Sequence, residues 1–209
     1  MDGRAKTLLG STLRRLGALR RRPLTNQREL KVNKDLNTSV VGHGDFRQIC
    51  VKREVAAPIQ RVWDALTDDQ QIKHWWAAGV IEPREGGRYH LGGMEDDNCN
   101  EDNSNEDAGP GLDGIIKVFV PPYVLEYTWH GEYPDAGIVR FDLMSLSANS
   151  TLVTLTQNVP AAHAVPAAAG WYEIVEHLQI YAETEAPVTK DPERFDKLQE
   201  QFVAVGLTG

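Results

Sequence analysis

The sequence predicts an α+β fold, an antiparallel sheet covered by one long helix near the C-terminus. Three patterns carry this prediction. Residues 46–55, FRQICVKREV, alternate apolar and polar positions. Four further strand-like segments, LDGIIKVFV, YVLEYTWHG, GIVRFDLMSLS and STLVTLTQNV, follow one another with turn signals between them. Residues 166–183, PAAAGWYEIVEHLQIYAE, carry a single apolar stripe at helical spacing. Strands grouped together with helices at both ends give an α+β arrangement rather than a βαβ alternation.

In the first strand, Ile49, Val51 and Val55 share one side and Gln48, Lys52 and Glu54 the other, so one face is buried. Pro58 suits the first turn of the helix that follows. Ile59, Val62, Trp63 and Leu66 fall at i, i+3, i+4 and i+7, one helical stripe. Thr67 or Asp68 caps a second short helix that ends near Trp75. REGGRYHLGG places a short strand between glycine pairs. The four later strands, broken at Pro121-Pro122, at 131–137 and at 148–150, read as an antiparallel meander. In the long helix, Trp171, Ile174, Val175, Leu178, Tyr181 and Ala182 form the stripe, with Glu173, Glu176 and Glu183 opposite. Its length of about 27 Å, at 1.5 Å per residue, is enough to cross a sheet. Asp191-Pro192 starts a last short helix carrying Phe195, Leu198 and Phe202.

Composition bounds the function. The 209-residue chain has a formal net charge of -8, but the charge is uneven. Residues 1–45 carry ten Lys/Arg against four Asp/Glu, and residues 46–209 carry twelve against twenty-six. The acidic body repels nucleic-acid phosphates. The basic end places Leu9, Leu13, Leu16 and Leu19 near helical spacing among five arginines, with Pro23 as a stop. It reads as a solvated tail or a helix docked on the body, with membrane-surface or nucleic-acid contact and an organelle-targeting leader as the alternatives. Residues 24–45 read as a linker. The division expected is a basic extension and linker over 1–45, the main domain over 46–186, and a short helix with a tail over 187–209. Cys50 and Cys99 do not form an evident pair, which suits a reducing, cytoplasmic setting. No apolar run reaches the roughly 20 residues of a membrane span.

Five stretches, in this order, resemble one family: APIQRVWDALTD (57–68), HWW (74–76), PREGGRYHL (83–91), VPPYVLEYTW (120–129) and AAGWYEIVEHL (168–178). Over residues 46–185 the chain resembles the activator of Hsp90 ATPase homologue 1-like (AHSA1-like) group of the START/Bet v 1-like (SRPBCC) superfamily. The resemblance implies a helix-grip fold, with a curved antiparallel sheet around the long C-terminal helix and two short helices closing one end. It implies a cavity for a hydrophobic small molecule. Some members are cyclases or hydrolases, and the founding eukaryotic group stimulates the Hsp90 chaperone in the stress response. That stimulation depends largely on a separate N-terminal domain, for which the residues before Phe46 are too few.

The expected lining of the cavity is Trp75, Trp76, Tyr89, Tyr127, Trp129, Phe141 and Trp171. Ligand pockets are mostly apolar with a few orienting polar groups, and Tyr hydroxyls and Trp N–H groups supply such groups. The same residues would also serve as plain core packing. No catalytic set is expected. Glu126, His130, Arg140 and Asp142 stand in opposite register to the aromatic positions, so they face water if the aromatics face the helix. No metal or cofactor is expected either. The histidines are scattered, Glu173 and His177 read as a solvated helix pair, and the acidic run at 95–107 places Asp107 where a calcium loop needs glycine. The partner expected is therefore a hydrophobic small molecule, with a chaperone or other protein as the alternative.

Overall fold

Residues 46–55 form the strand that their alternation predicts. Ile49, Val51 and Val55 are fully buried on its inner side. The computed structural model describes residues 29–30, 37–92, 112–129 and 137–204. The basic stripe Leu9–Leu19, the acidic run 95–107, Cys99 and His130 lie outside the described residues.

The chain runs through β1 (Glu29–Leu30), β2 (Thr38–His43), β3 (Phe46–Val55), α1 (Ile59–Thr67), α2 (Asp69–Ile72), β4 (Gly79–Ile81) and β5 (Arg88–Leu91). It continues through β6 (Leu112–Val120), β7 (Val124–Thr128), β8 (Ile138–Ser147), β9 (Ser150–Pro160), α3 (Ala164–Thr184) and α4 (Arg194–Ala204). All strands join one antiparallel sheet in the order β1-β2-β3-β9-β8-β7-β6-β5-β4. The first strand of the predicted body thus pairs with the last, Phe46 opposite Pro160 and Val55 opposite Thr151. The predicted helix-grip arrangement, a curved sheet around the long helix, is the fold observed.

Two strands precede Phe46, in the stretch whose polarity reads as linker. β2 pairs with β3 along its length and buries Val40. It covers backbone groups that β3 would otherwise present as an open edge.

Pro58 precedes α1 as its N-cap, and Asp68 ends the helix. Asp68 also caps α2, its carboxylate accepting from the Gln70 backbone N–H at 2.8 Å. The stripe Val62, Trp63 and Leu66 faces inward, and Trp63 meets Phe119 of β6 at 5.2 Å between ring centroids. β-Bulges in β6 (Ile116 to Val118) and β8 (Ser145 to Ser147) bend the sheet. At Gly114 a Cβ would sit 2.0 Å from the Thr128 carbonyl oxygen, so β6 and β7 can come this close only with glycine there.

α3 packs on β3, β9 and β2, and α1 and α4 flank it. The stripe is wider than periodicity predicts. Tyr172 is buried under α4, where Phe202 meets its ring at 6.2 Å and Arg53 lies 4.7 Å from its centroid. Glu176, expected on a solvated face, accepts a bidentate pair from Arg194 of α4 at 3.0 and 2.9 Å.

Candidate functional site

The seven aromatic residues expected to line a cavity fall into two groups. Trp75, Trp76, Trp129, Phe141 and Trp171 form one connected set of rings. Trp76 lies 5.6 Å from Trp75, 6.2 Å from Trp129 and 5.8 Å from Trp171 between centroids. Trp171 meets Trp129 at 5.0 Å and Phe141 at 6.4 Å, both edge to face. Such tilted contacts suit the ring quadrupole. Tyr89 and Tyr127 form a second, stacked pair at 4.2 Å. Trp129 lies just past the end of β7, two residues after Tyr127, and its contact with Trp171 turns it toward α3.

Trp75 and Trp76 do different jobs. Trp75 is 1% exposed, and its indole N–H donates to the Ala65 carbonyl at 3.0 Å. Trp76 is half-buried, as is Trp129. Trp75 is therefore core, and Trp76 reaches from the surface to the inner rings.

The end of α1 explains part of this geometry. The last carbonyls of a helix lack intrahelical donors. The Tyr89 hydroxyl donates to Leu66 O at 3.0 Å and the Trp75 indole to Ala65 O, so two of the predicted residues cap α1 from outside. Trp171 donates to the Gln157 side chain at 2.5 Å. Gln157 is buried on β9 and was not among the predicted residues, although its register with Val153 and Leu155 marks it as a polar group on an apolar face.

The Tyr127 hydroxyl is buried and has no hydrogen-bond partner among the described residues. Burial raises the pKa of both phenols, and in Tyr127 the neighbouring Tyr89 adds to the rise. Both groups are neutral hydroxyls at neutral pH, so each has a proton to donate.

Glu126, Arg140 and Asp142, in opposite register to the aromatic positions, lie away from the helix. Arg140 makes two hydrogen bonds to Asp142, at 2.8 and 2.7 Å, and one to Glu126 at 3.1 Å. This is an ion cluster on the outer face of the sheet. The solvated reading of Glu173 and His177 is corrected. His177 is buried, and its Nε2 lies 3.9 Å from Glu173 Oε1. Loss of hydration lowers the His177 pKa and raises that of Glu173. Among the described residues, no group of three His, Cys, Asp or Glu is placed to hold a metal ion. No helix among them is long and apolar enough to cross a membrane.

The matched family region closes on itself, because the Ala56 backbone N–H donates to the Glu183 carboxylate at 2.8 Å. The sequence model of the family described as activator of Hsp90 ATPase homolog 1-like protein matches residues 56–183, more than half of the chain. The protein belongs to this family. Among curated proteins no sequence gives a significant match to this AHSA1-like chain. Among solved structures it is similar to EF2215 from Enterococcus faecalis, a conserved protein of unknown function. That pair has a TM-score of 0.60 and 19% identity, over 81% of this chain and 92% of the other. It is also similar to CalU16 from Micromonospora echinospora, with a TM-score of 0.57 and 22% identity over 77% and 88% of the two chains. Identities this low establish a shared fold and nothing narrower.

Proposed function

We propose that this protein holds a hydrophobic small molecule between the sheet and α3, with Trp76 and Trp129 at the entrance. The Tyr127 hydroxyl is the observation that carries this reading. A buried hydroxyl without a partner costs about 1–3 kcal/mol. A guest with one acceptor atom and an apolar body, seated against these rings, would remove that cost. The half-burial of Trp76 and Trp129 supports entry on their side, because the other rings of the set are fully enclosed.

A matched pair of probes tests the reading by tryptophan fluorescence. On this account 2-acetonaphthone, which carries an acceptor carbonyl, binds about tenfold tighter than 2-ethylnaphthalene, as one added hydrogen bond implies. Tyr127→Phe abolishes the difference. Equal affinities for the two probes in the parent protein contradict the reading.

A protein-interaction role, including co-chaperone action, is the second reading. Val120, Tyr123, Met144 and Leu146 are exposed apolar residues on β6, β8 and the β6–β7 turn, and they favour it. Retention of a specific protein on immobilised parent chain, lost on Met144→Lys with Tyr123→Lys, would support it over ligand binding.

A further inference from the structure

Away from the aromatic interior, a cavity of about 470 Å³ opens between the α1–α2 corner and the C-terminal end of α3. Arg61, Gln71, His74, Tyr181, Glu185 and Pro187 line it. The size lies within the roughly 300–1,000 Å³ of small-molecule sites. One wall is aromatic, with the His74 and Tyr181 rings nearly parallel, 6.0 Å apart and 19° from coplanar.

The charges around this wall favour a cation. Glu185 ends α3 in a left-handed conformation, φ 58°, and its carboxylate lines the cavity. The end of a long helix adds a partial negative charge of about half a unit. Three charged side chains act on the Tyr181 phenol. Glu185 and Asp68 are negative and Arg61 is positive. Arg61 is already committed, as its guanidinium pairs with Glu185. Arg61 and Glu185 offset each other, and the nearby Asp68 with the C-terminal end of α3 leaves the balance negative, which disfavours an anion. A wholly apolar guest would cover the Arg61–Glu185 pair and the Gln71 amide, which donates to the Asp68 carboxylate at 3.3 Å, and offer them no polar contact in place of water. A cation beside an aromatic face gains from both the ring and the carboxylates.

We propose that this cleft binds a small organic ammonium compound with an apolar body, the ammonium against Glu185 and the body along His74 and Tyr181. The site is separate from the interior and does not depend on what the interior holds.

The test is an NMR titration of the full chain with three probes of one shape: phenethylammonium, 2-phenylethanol and phenylacetate. The cation alone should give saturable shifts at Gln71, His74, Tyr181 and Glu185, with the Trp129 indole signal unmoved. Two variants at exposed positions separate recognition from mere structure. Glu185→Gln should weaken phenethylammonium binding by about threefold to fivefold, as the loss of one exposed charge partner implies. Arg61→Gln should strengthen it by a few fold, because it removes the competing guanidinium. Saturable binding of the neutral alcohol or of phenylacetate at this site, or none of the cation, overturns the proposal. So does weakening by Arg61→Gln in step with Glu185→Gln, which would mark the ion pair as a latch between helices.

Discussion

Tyr89 and Tyr127 stack at 4.2 Å, yet only one of their hydroxyls is satisfied. Tyr89 donates to Leu66 O, and Tyr127 donates to nothing among the described residues. Removal of each hydroxyl should therefore have opposite effects on the ligand-free protein. Tyr127→Phe should raise stability by about 1 kcal/mol, and Tyr89→Phe should lower it by about the same amount, since a buried carbonyl loses its donor. Urea unfolding midpoints at unchanged m-value read both.

The tryptophan doublet makes a second contrast. Trp75→Phe loses ring volume and uncaps Ala65, so it should cost about 2–3 kcal/mol. Trp171 is 4% exposed and hydrogen-bonded to Gln157, so Trp171→Ala should cost about 3–5 kcal/mol. Trp76→Ala and Trp129→Ala, at half-buried positions, should each cost less than Trp171→Ala. Equal unfolding midpoints for Trp171→Ala and the parent would show that the helix does not grip the sheet through this ring.

Acid should weaken the fold through His177. Burial holds its pKa below the ordinary 6.5, with Lys190 and Arg194 adding to the fall while Glu176 and a backbone hydrogen bond at Trp75 oppose it. The unfolded chain takes up this proton more readily. Stability from His177 is thus complete above 6.5, declines as pH falls from 6.5 to the folded value, and is level below it. Glu173 acts in the other direction. Its pKa is raised above 4.5, so it regains stability as pH falls from its folded value towards 4.5. His177→Gln should remove the decline below pH 6.5 and leave the Glu173 gain, as measured by urea unfolding across that range. An unchanged profile in this variant would place the pH dependence elsewhere.

Gly114 sets how closely β6 and β7 approach. Gly114→Ala brings a methyl group within 2.0 Å of Thr128 O and should cost about 3 kcal/mol, the upper end for overpacking. Hydrogen exchange should show faster exchange in β6 and β7 with β3 and β9 unaffected.

Long, regular elements were legible from the sequence. The period of two in β3 and the apolar stripe of α3 each follow from one buried face, which residue order records directly. β2 was not legible, because TSVVGH buries only Thr38 and Val40, one of them polar, and ends in glycine and histidine. Its reason to exist is the edge of β3, a feature of the assembled sheet. The same holds on α3. Glu173, Glu176 and His177 look solvated on an isolated helix, and become enclosed once α4 and the Val188 segment fold over them.

The aromatic cluster was legible as a set of residue types on one face of the sheet. Gln157 could have been found from its inward register. The unpartnered state of the Tyr127 hydroxyl could not, because nothing in the order of residues separates it from Tyr89. The difference arises in the assembled fold, where the end of α1 brings the Leu66 carbonyl to the Tyr89 hydroxyl.

Native mass spectrometry of parent protein and Tyr127→Phe, expressed and purified side by side, bears most directly on the ligand-holding role. The parent should carry an adduct of one discrete mass, displaced by 2-acetonaphthone, and the variant should carry it at clearly lower occupancy. A parent that flies bare, or an adduct held equally by both proteins, would contradict a guest anchored at Tyr127.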